Sequence, residues 1–339
     1  MRAPDDSAGT ATLAGAVQRA FAGDGPLAAA DPGYTEREVQ QRFAQAVAQA
    51  LDAQSALVAE AGTGVGKTFA YLVPLLLSGR RALVSTATKS LQDQLFLRDL
   101  PRLVKALAVP VKVALLKGRS SYLCLHRLDL ARQGGGPGQP VLLPDRFAVR
   151  ALARVQAWAP GTKSGDLAEI EGLDDRSPVI PLVTSSRENC LGSDCPQFAA
   201  CHVVRARREA MAADMVVVNH HLFFADLALR DTGMAELLPS VEAAVFDEAH
   251  QLVEAGVQFL GTTLGSAQAI DFARDLTALG LAQARGLADW PTLAGGVERA
   301  ARDLRLAAAG PLREVRATIK LRWDERAGQS AFTDALDAL

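Results

Sequence analysis

The segment Ala61-Gly62-Thr63-Gly64-Val65-Gly66-Lys67-Thr68 constrains this 339-residue chain more than any other feature. It follows a short apolar run, Ser55–Ala59, read as a strand. It opens a helical pattern carrying Phe69, Leu72, Val73 and Leu76. Strand, glycine-rich turn and helix in that order are the setting of a Walker A phosphate loop. The glycines let backbone N–H groups converge on phosphate oxygens without Cβ clashes, and the helix N-terminus adds partial positive charge. Lys67 is placed to reach the β- and γ-phosphates and Thr68 to ligate Mg²⁺, so ATP and Mg²⁺ are the expected ligands. Ala61 replaces the usual first glycine, which the turn accepts if φ stays negative there.

The surrounding pattern gives the fold class. Arg81–Thr86 and Val111–Leu116 read as strands, with a helix over Ser90–Leu100 that Pro101 is expected to end. Strand–helix–strand order implies a parallel α/β sheet with right-handed crossovers. Upstream, Val39, Phe43, Val47 and Leu51 recur at helical spacing. Residues 1–33, rich in Ala, Gly, Asp and Pro, read as a flexible leader. Pro74 should kink the helix that follows the phosphate loop, and Gly79 suits the position after its end. Residues 117–210 lack clean strands and hold the loops Gly134–Pro140 and Pro160–Gly165. Buried strands resume at Met215–Val218 and Ala243–Phe246. The chain reads as one α/β domain interrupted by an insertion, then helices over Ala267–Leu279, Leu293–Ala309 and Leu312–Trp323.

Asp247-Glu248-Ala249-His250 follows the strand Ala243–Phe246 directly. In P-loop enzymes an Asp at this place holds Mg²⁺, and an adjacent Glu can orient and deprotonate the attacking water. His250 is placed to link the nucleotide site to a second surface. Without the upstream phosphate loop, the same four residues would read as a solvated strand end.

With 36 Lys+Arg against 38 Asp+Glu, the chain is not a uniformly basic nucleic-acid coat, although a local basic groove stays open. Its N-terminus lacks an apolar secretory core, and the apolar stretch Phe69–Gly79 is far shorter than the ~20 residues of a membrane span. A cytoplasmic location with no membrane partner is expected. Four thiols there point to metal binding, catalysis or packing rather than disulfides. Cys190, Cys195 and Cys201 form C-x4-C-x5-C, and Cys124 stands apart. By spacing alone the four could hold Zn²⁺, which accepts such sites readily, or an iron–sulfur cluster. Lys117, Arg119, Tyr122, His126 and Arg127 surround Cys124, and Arg205, Arg207 and Arg208 follow Cys201. They are candidates for a single-strand path with Tyr122 as a stacking platform; the bland alternative is an ordinary charged surface.

The combined motifs resemble the superfamily 2 helicases, and within them the DinG/XPD branch, over about residues 34–255. Arg37-x-x-Gln40-x-x-Phe43 is similar to that branch's adenine-recognition segment, although Phe43 stands where the family often has Met. Ser85–Leu95, with Thr86, Lys89 and Gln92, is similar to a motif that contacts the DNA backbone. Asn219-His220-His221-Leu222-Phe223 is similar to its NHHLF motif. The lead-in Lys117–Cys124 and the cysteine triplet resemble the four ligands of that branch's [4Fe–4S] cluster. The resemblance places iron–sulfur ahead of zinc.

The resemblance implies a RecA-like P-loop domain in two parts (34–116 and 211–258), split by a mostly helical iron–sulfur domain (117–210). A partial helical arch (259–339) follows. It implies ATP-driven 5′→3′ translocation on single-stranded DNA and unwinding of forked DNA in repair or replication, by a monomer. Single-stranded-DNA-binding protein or replication factors are the expected protein partners. The arginine finger of such motors comes from a second RecA-like domain, and no Q-x-x-G-R-x-x-R motif is found in this chain. The expectation is therefore the front half of a helicase. The alternative is a non-motor P-loop ATPase or switch with a structural zinc domain.

Overall fold

The computed structural model describes residues 12–133, 135–136, 139–140, 146–174, 176–186, 189–231, 237–261, 265–309 and 321–339. The helices α1 (Leu13–Ala20), α2 (Pro26–Ala30), α3 (Glu38–Asp52) and α4 (Lys67–Ser78) precede β1 (Ala82–Thr86). Next come α5 (Lys89–Gln94), α6 (Leu100–Leu107), β2 (Val113–Leu115) and α7 (Leu125–Arg132). A minimal hairpin, β3 (Gly135–Gly136) with β4 (Gln139–Pro140), leads to α8 (Arg146–Trp158), α9 (Ile180–Val183) and α10 (His202–Met211). Then follow β5 (Met215–Asn219), α11 (His220–Asp231), β6 (Ala243–Phe246) and α12 (Leu252–Leu260).

Four strands form a parallel sheet in the order β2-β5-β1-β6. Ala82 pairs with Met215 and Ala243, and Val113 with Met215, so all four strands run in register toward one end. Alternation sorts the side chains onto two faces. Ala82, Val84, Met215 and Val217 pack with Val17, Phe21, Ala44 and Leu72 from α1, the turn after it, α3 and α4. Leu83, Val216 and Val218 pack with Ala206 and Ala210 of α10 and with Tyr122. The cysteine-bearing insertion builds its own core from Leu123, Leu128, Leu152, Val155, Val179 and Val183. It stays within one compact unit, residues 1–260.

The second unit, residues 261–339, is helical in its described part: α13 (Ser266–Gln283), α14 (Trp290–Ala309), α15 (Trp323–Ala327) and α16 (Ser330–Asp337). The helix expected over Leu312–Trp323 lies mostly outside the described residues.

Three expectations change. The leader folds from Leu13 onward, because Leu13, Val17, Ala20 and Phe21 share one helical face and bury it against α3 and α4. Ser55–Ala59 is not a strand: it pairs with no neighbour, and Val58 is 99% exposed. An apolar run becomes a strand only where pairing and burial both reach it. Pro101 does not end a helix. A π-turn over Leu95–Asp99 resets the hydrogen-bond register, so the proline falls in the first turn of α6, where no donor is needed. Helix α4 runs on through Pro74, where the kink was expected, to Ser78.

Candidate functional site

The parallel register brings Thr86, Asn219 and Phe246 to the same end of the sheet, the carboxyl end, where ligands bind in open α/β folds. The phosphate loop turns through Gly64 (φ 78°) and Gly66 (φ 86°), a conformation that disfavours any side chain. A Cβ at Gly66 would also collide with Gln40. Positive φ at non-glycine positions is confined, among the described residues, to Gln54, Ala108 and Glu248, so Ala61 keeps the negative φ its substitution demands. Ala61, Gly62, Thr63 and Val65 make up the rest of the turn, and Lys67 and Thr68 open α4.

Two residues of the segment that resembles an adenine reader lie against this loop. Gln40 Nε2 donates to the Gly66 carbonyl at 2.9 Å, and the Arg37 guanidinium donates to the Gly64 carbonyl. A base edge would therefore compete with Gly66 for the Gln40 amide.

The acidic box faces the loop from β6. Lys67 Nζ lies 3.5 Å from Glu248 Oε1, and His250 Nδ1 lies 3.5 Å from Glu248 Oε2. Glu248 sits in a left-handed turn (φ 55°) that reverses the chain after β6. The Asp247 N–H donates to the Ser85 carbonyl at 2.9 Å, which fixes the strand end. Tyr71, one helical turn after Lys67, donates its phenolic O–H to Asp247 Oδ2 at 3.2 Å and also interacts with the Thr68 side chain. Burial first, and the Glu248 charge next, raise the Asp247 carboxyl above the ordinary range. Burial and the Asp247 charge likewise push the Tyr71 phenol well up. Tyr71 and Ser85 were absent from the expected site. The spacing Lys67 to Tyr71 was a readable signal for the first, since residues four apart share a helix face.

The expected DNA contacts divide sharply. Thr86, Gln92, Lys117, Tyr122 and His220 are buried, at 0 to 4% exposure. Gln92 Nε2 reaches the Leu116 carbonyl, and Tyr122 accepts from the Lys117 backbone N–H. Lys117 Nζ is clamped at 2.6 Å by both Asp93 and Asp166. These five side chains hold the site together and do not offer themselves to a phosphate or a base. Lys89 is exposed, while Arg119 and Asn219 are half-buried. Arg119 donates to the Ser186 carbonyl, and Asn219 caps α11 by accepting from Leu222 N–H.

Cys124 precedes α7, Cys201 precedes α10, and Cys190 and Cys195 flank a short 3-10 turn between them. None is in a disulfide. Burial raises the Cys124 thiol, a backbone hydrogen bond at Arg127 lowers it, and the charges of Cys195, Cys201 and Cys190 raise it further, so those three lie within electrostatic range of Cys124. Among the described residues, no group of three or more His, Cys, Asp or Glu side chains is close enough to hold a metal ion as it stands.

Fold and site together define a P-loop nucleotide-binding domain with a DEAH acidic box. Residues 37–138 match the DEAD/DEAH box helicase family. The chain is 41% identical over 323 residues to an ATP-dependent DNA helicase YoaA from Haemophilus influenzae, covering 95% of this chain and 49% of that protein. It is 44% identical over 291 residues to the protein of that name from Escherichia coli, covering 86% and 45%. It is 41% identical over 263 residues to an ATP-dependent helicase DinG from Mycobacterium tuberculosis, covering 71% and 39%. The chain carries a DEAD/DEAH box helicase domain, and its similarity to YoaA and DinG helicases is consistent with the N-terminal region of the DinG family. It spans about half the length of the curated relatives it matches. Among the described residues, no helix is long and apolar enough to cross a membrane.

Proposed function

We propose that this chain is the nucleotide-binding motor domain of an ATP-dependent DNA helicase that moves 5′→3′ on single-stranded DNA and opens forked duplexes in repair or replication. The observation that carries this reading is the convergence of Lys67 and Thr68 with Asp247 and Glu248 across one sheet end. Gly62–Gly66 cradle the phosphates with backbone N–H groups, and Lys67 neutralises the γ-phosphate. Thr68 and Asp247 are the residues that would hold Mg²⁺, which offsets charge on the transferred phosphoryl group. Glu248, released from Lys67 when phosphate takes the lysine, orients and deprotonates the attacking water. Gln40 and Arg37 tie the loop to α3 and report whether a base is bound. His250 extends from Glu248 toward a second RecA-like domain, which supplies the arginine finger.

Cys124, Cys190, Cys195 and Cys201 hold a [4Fe–4S] cluster in this reading. Four undisulfided thiols, three of them within electrostatic range of Cys124, suit a four-thiolate centre. The cluster closes a segment whose own core is small. Lys89, Arg119 and Asn219 stand on the DNA side. The protein works as a monomer in the cytoplasm, with single-stranded-DNA-binding protein or replication factors as its partners.

Unwinding of forked DNA with one 5′ or one 3′ tail, by anaerobically purified whole protein, tests the reading. Activity confined to the 5′-tailed fork, with about four iron atoms per chain, is expected. Zinc in place of iron and no unwinding of either fork would favour a non-motor ATPase with a structural zinc domain.

A further inference from the structure

His220 was expected to touch DNA, yet it is 1% exposed and packed into the floor of the nucleotide site. Its Nδ1 lies 2.7 Å from Ser85 Oγ on β1. The ring lies 6.3 Å from that of Phe246, the last residue of β6. It also meets the backbone of Asp247 and Glu248. Nε2 is buried and has no hydrogen-bond partner of good geometry. Ser85 thus serves two masters: its side chain holds His220, and its carbonyl accepts the Asp247 N–H.

Two costs meet here. A buried ring nitrogen left unpaired bears its full desolvation cost. The left-handed conformation of Glu248 (φ 55°) adds steric strain between its Cβ and the backbone. Such strain persists where the surroundings over-determine it, and it clusters at functional sites. The tautomer with its hydrogen on Nε2 reconciles both. Nδ1 then accepts from the Ser85 hydroxyl, and the Nε2–H points toward the turn that carries Asp247 and Glu248.

We propose that His220 is a positioning residue for the acidic box: anchored on Ser85, it holds the left-handed Asp247–Glu248 turn in the geometry that presents Glu248 to the attacking water. Nucleotide binding draws Lys67 away from Glu248, which removes that carboxylate's cationic restraint. The imidazole N–H then takes up the backbone of the turn and keeps it from collapsing. Ser85 lies in β1, and His220 follows β5 directly as the first residue of α11. The inference rests on the nucleotide-site reading above, and it assigns His220 to the same site.

The test uses the whole natural protein with His220→Ala, His220→Gln and Ser85→Ala, read by amide hydrogen exchange and by ATP turnover. In nucleotide-free His220→Ala protein, the amides of residues 247–249 should exchange at least about tenfold faster than in wild type, with α13 and α14 unchanged. ATP turnover should fall about 10–100-fold while ATP affinity stays within about threefold. His220→Gln, which returns a donor near Nε2, should recover most of the turnover. Ser85→Ala, a milder change that folds if His220→Ala does not, should accelerate the same amides. Wild-type exchange at 247–249 in both Ala variants would overturn the proposal. So would a Gln variant no better than Ala at equal thermal stability. If wild-type protein hydrolyses no ATP, the motor reading fails, and the exchange measurement still decides the role of His220.

Discussion

Tyr71 and Asp247 stand 176 residues apart in sequence, and the phenol of one donates to the carboxylate of the other at 3.2 Å. The same phenol meets Thr68. One hydroxyl therefore spans the two side chains expected to hold Mg²⁺, and it presets their separation before any nucleotide arrives.

Tyr71→Phe removes that spacer and leaves the packing volume. A single neutral hydrogen bond contributes about 1 kcal/mol, so the fold should survive. The Mg²⁺ concentration for half-maximal ATP turnover or nucleotide binding should rise about 3–10-fold, with nucleotide affinity at saturating Mg²⁺ unchanged. An unaltered Mg²⁺ titration would remove Tyr71 from the site.

Asp247 is held above the ordinary carboxyl range by burial, then by the Glu248 charge. The unfolded chain releases this proton more readily than the folded one, so at neutral pH the ionised group opposes folding. That penalty fades as pH falls through the raised folded value. Asp247→Asn should therefore raise the thermal midpoint at pH 7 by about 2–4 °C, with the gain shrinking on acidification, while Mg²⁺-dependent turnover is lost. Scanning calorimetry across pH 4–7 reads both the sign and the window.

Lys117 binds two carboxylates, and its ammonium is raised above its ordinary value because Asp166 and Asp93 outweigh the burial that lowers it. Lys117→Met leaves two facing aspartates without their cation, and should cost about 3–5 kcal/mol. Per folded molecule, affinity for single-stranded DNA should stay near wild type. Lys89→Ala, at an exposed position, should instead weaken binding and flatten its salt dependence. Urea denaturation beside salt-dependent DNA titrations separates the two roles.

His220 has a lowered pKa, by burial first, with His221 adding to it against the Asp247 and Glu248 groups. A histidine kept neutral by the fold stabilises it fully above the ordinary value near 6.5. That stability drains away as pH drops below it. Wild-type stability should thus fall more between pH 7.5 and 5.5 than that of His220→Gln, whose amide does not titrate. Parallel loss in both proteins would show that the ring is not the titrating element.

The phosphate loop and acidic box were legible because each is local in sequence: glycines and a lysine fall within Ala61–Thr68 at the start of α4, and paired carboxylates follow β6 directly. The parallel sheet was legible from short apolar runs such as Met215–Val218. What escaped depends on tertiary placement. Thr86, Gln92, Lys117, Tyr122 and His220 carry polar groups that suit DNA, but the fold buries them: Tyr122 packs on α10, Lys117 sits between Asp93 and Asp166, and His220 is held by Ser85. Sequence spacing cannot weigh a phosphate against an unseen aspartate such as Asp166. The leader failed for a different reason: its Ala and Gly content concealed the face formed by Val17 and Phe21. Ser55–Ala59 had strand composition without a strand's partners.

The central claim is that Lys67 and Glu248 divide binding from hydrolysis at one sheet end. Steady-state ATP hydrolysis by the whole protein, with and without single-stranded DNA, tests it beside equilibrium ATP binding. Wild-type turnover should be stimulated by DNA. Lys67→Ala should lose ATP binding, and Glu248→Gln should bind ATP within about threefold of wild type yet lose at least about 100-fold in turnover. Normal turnover by Glu248→Gln, or wild-type turnover indifferent to DNA, would contradict the account.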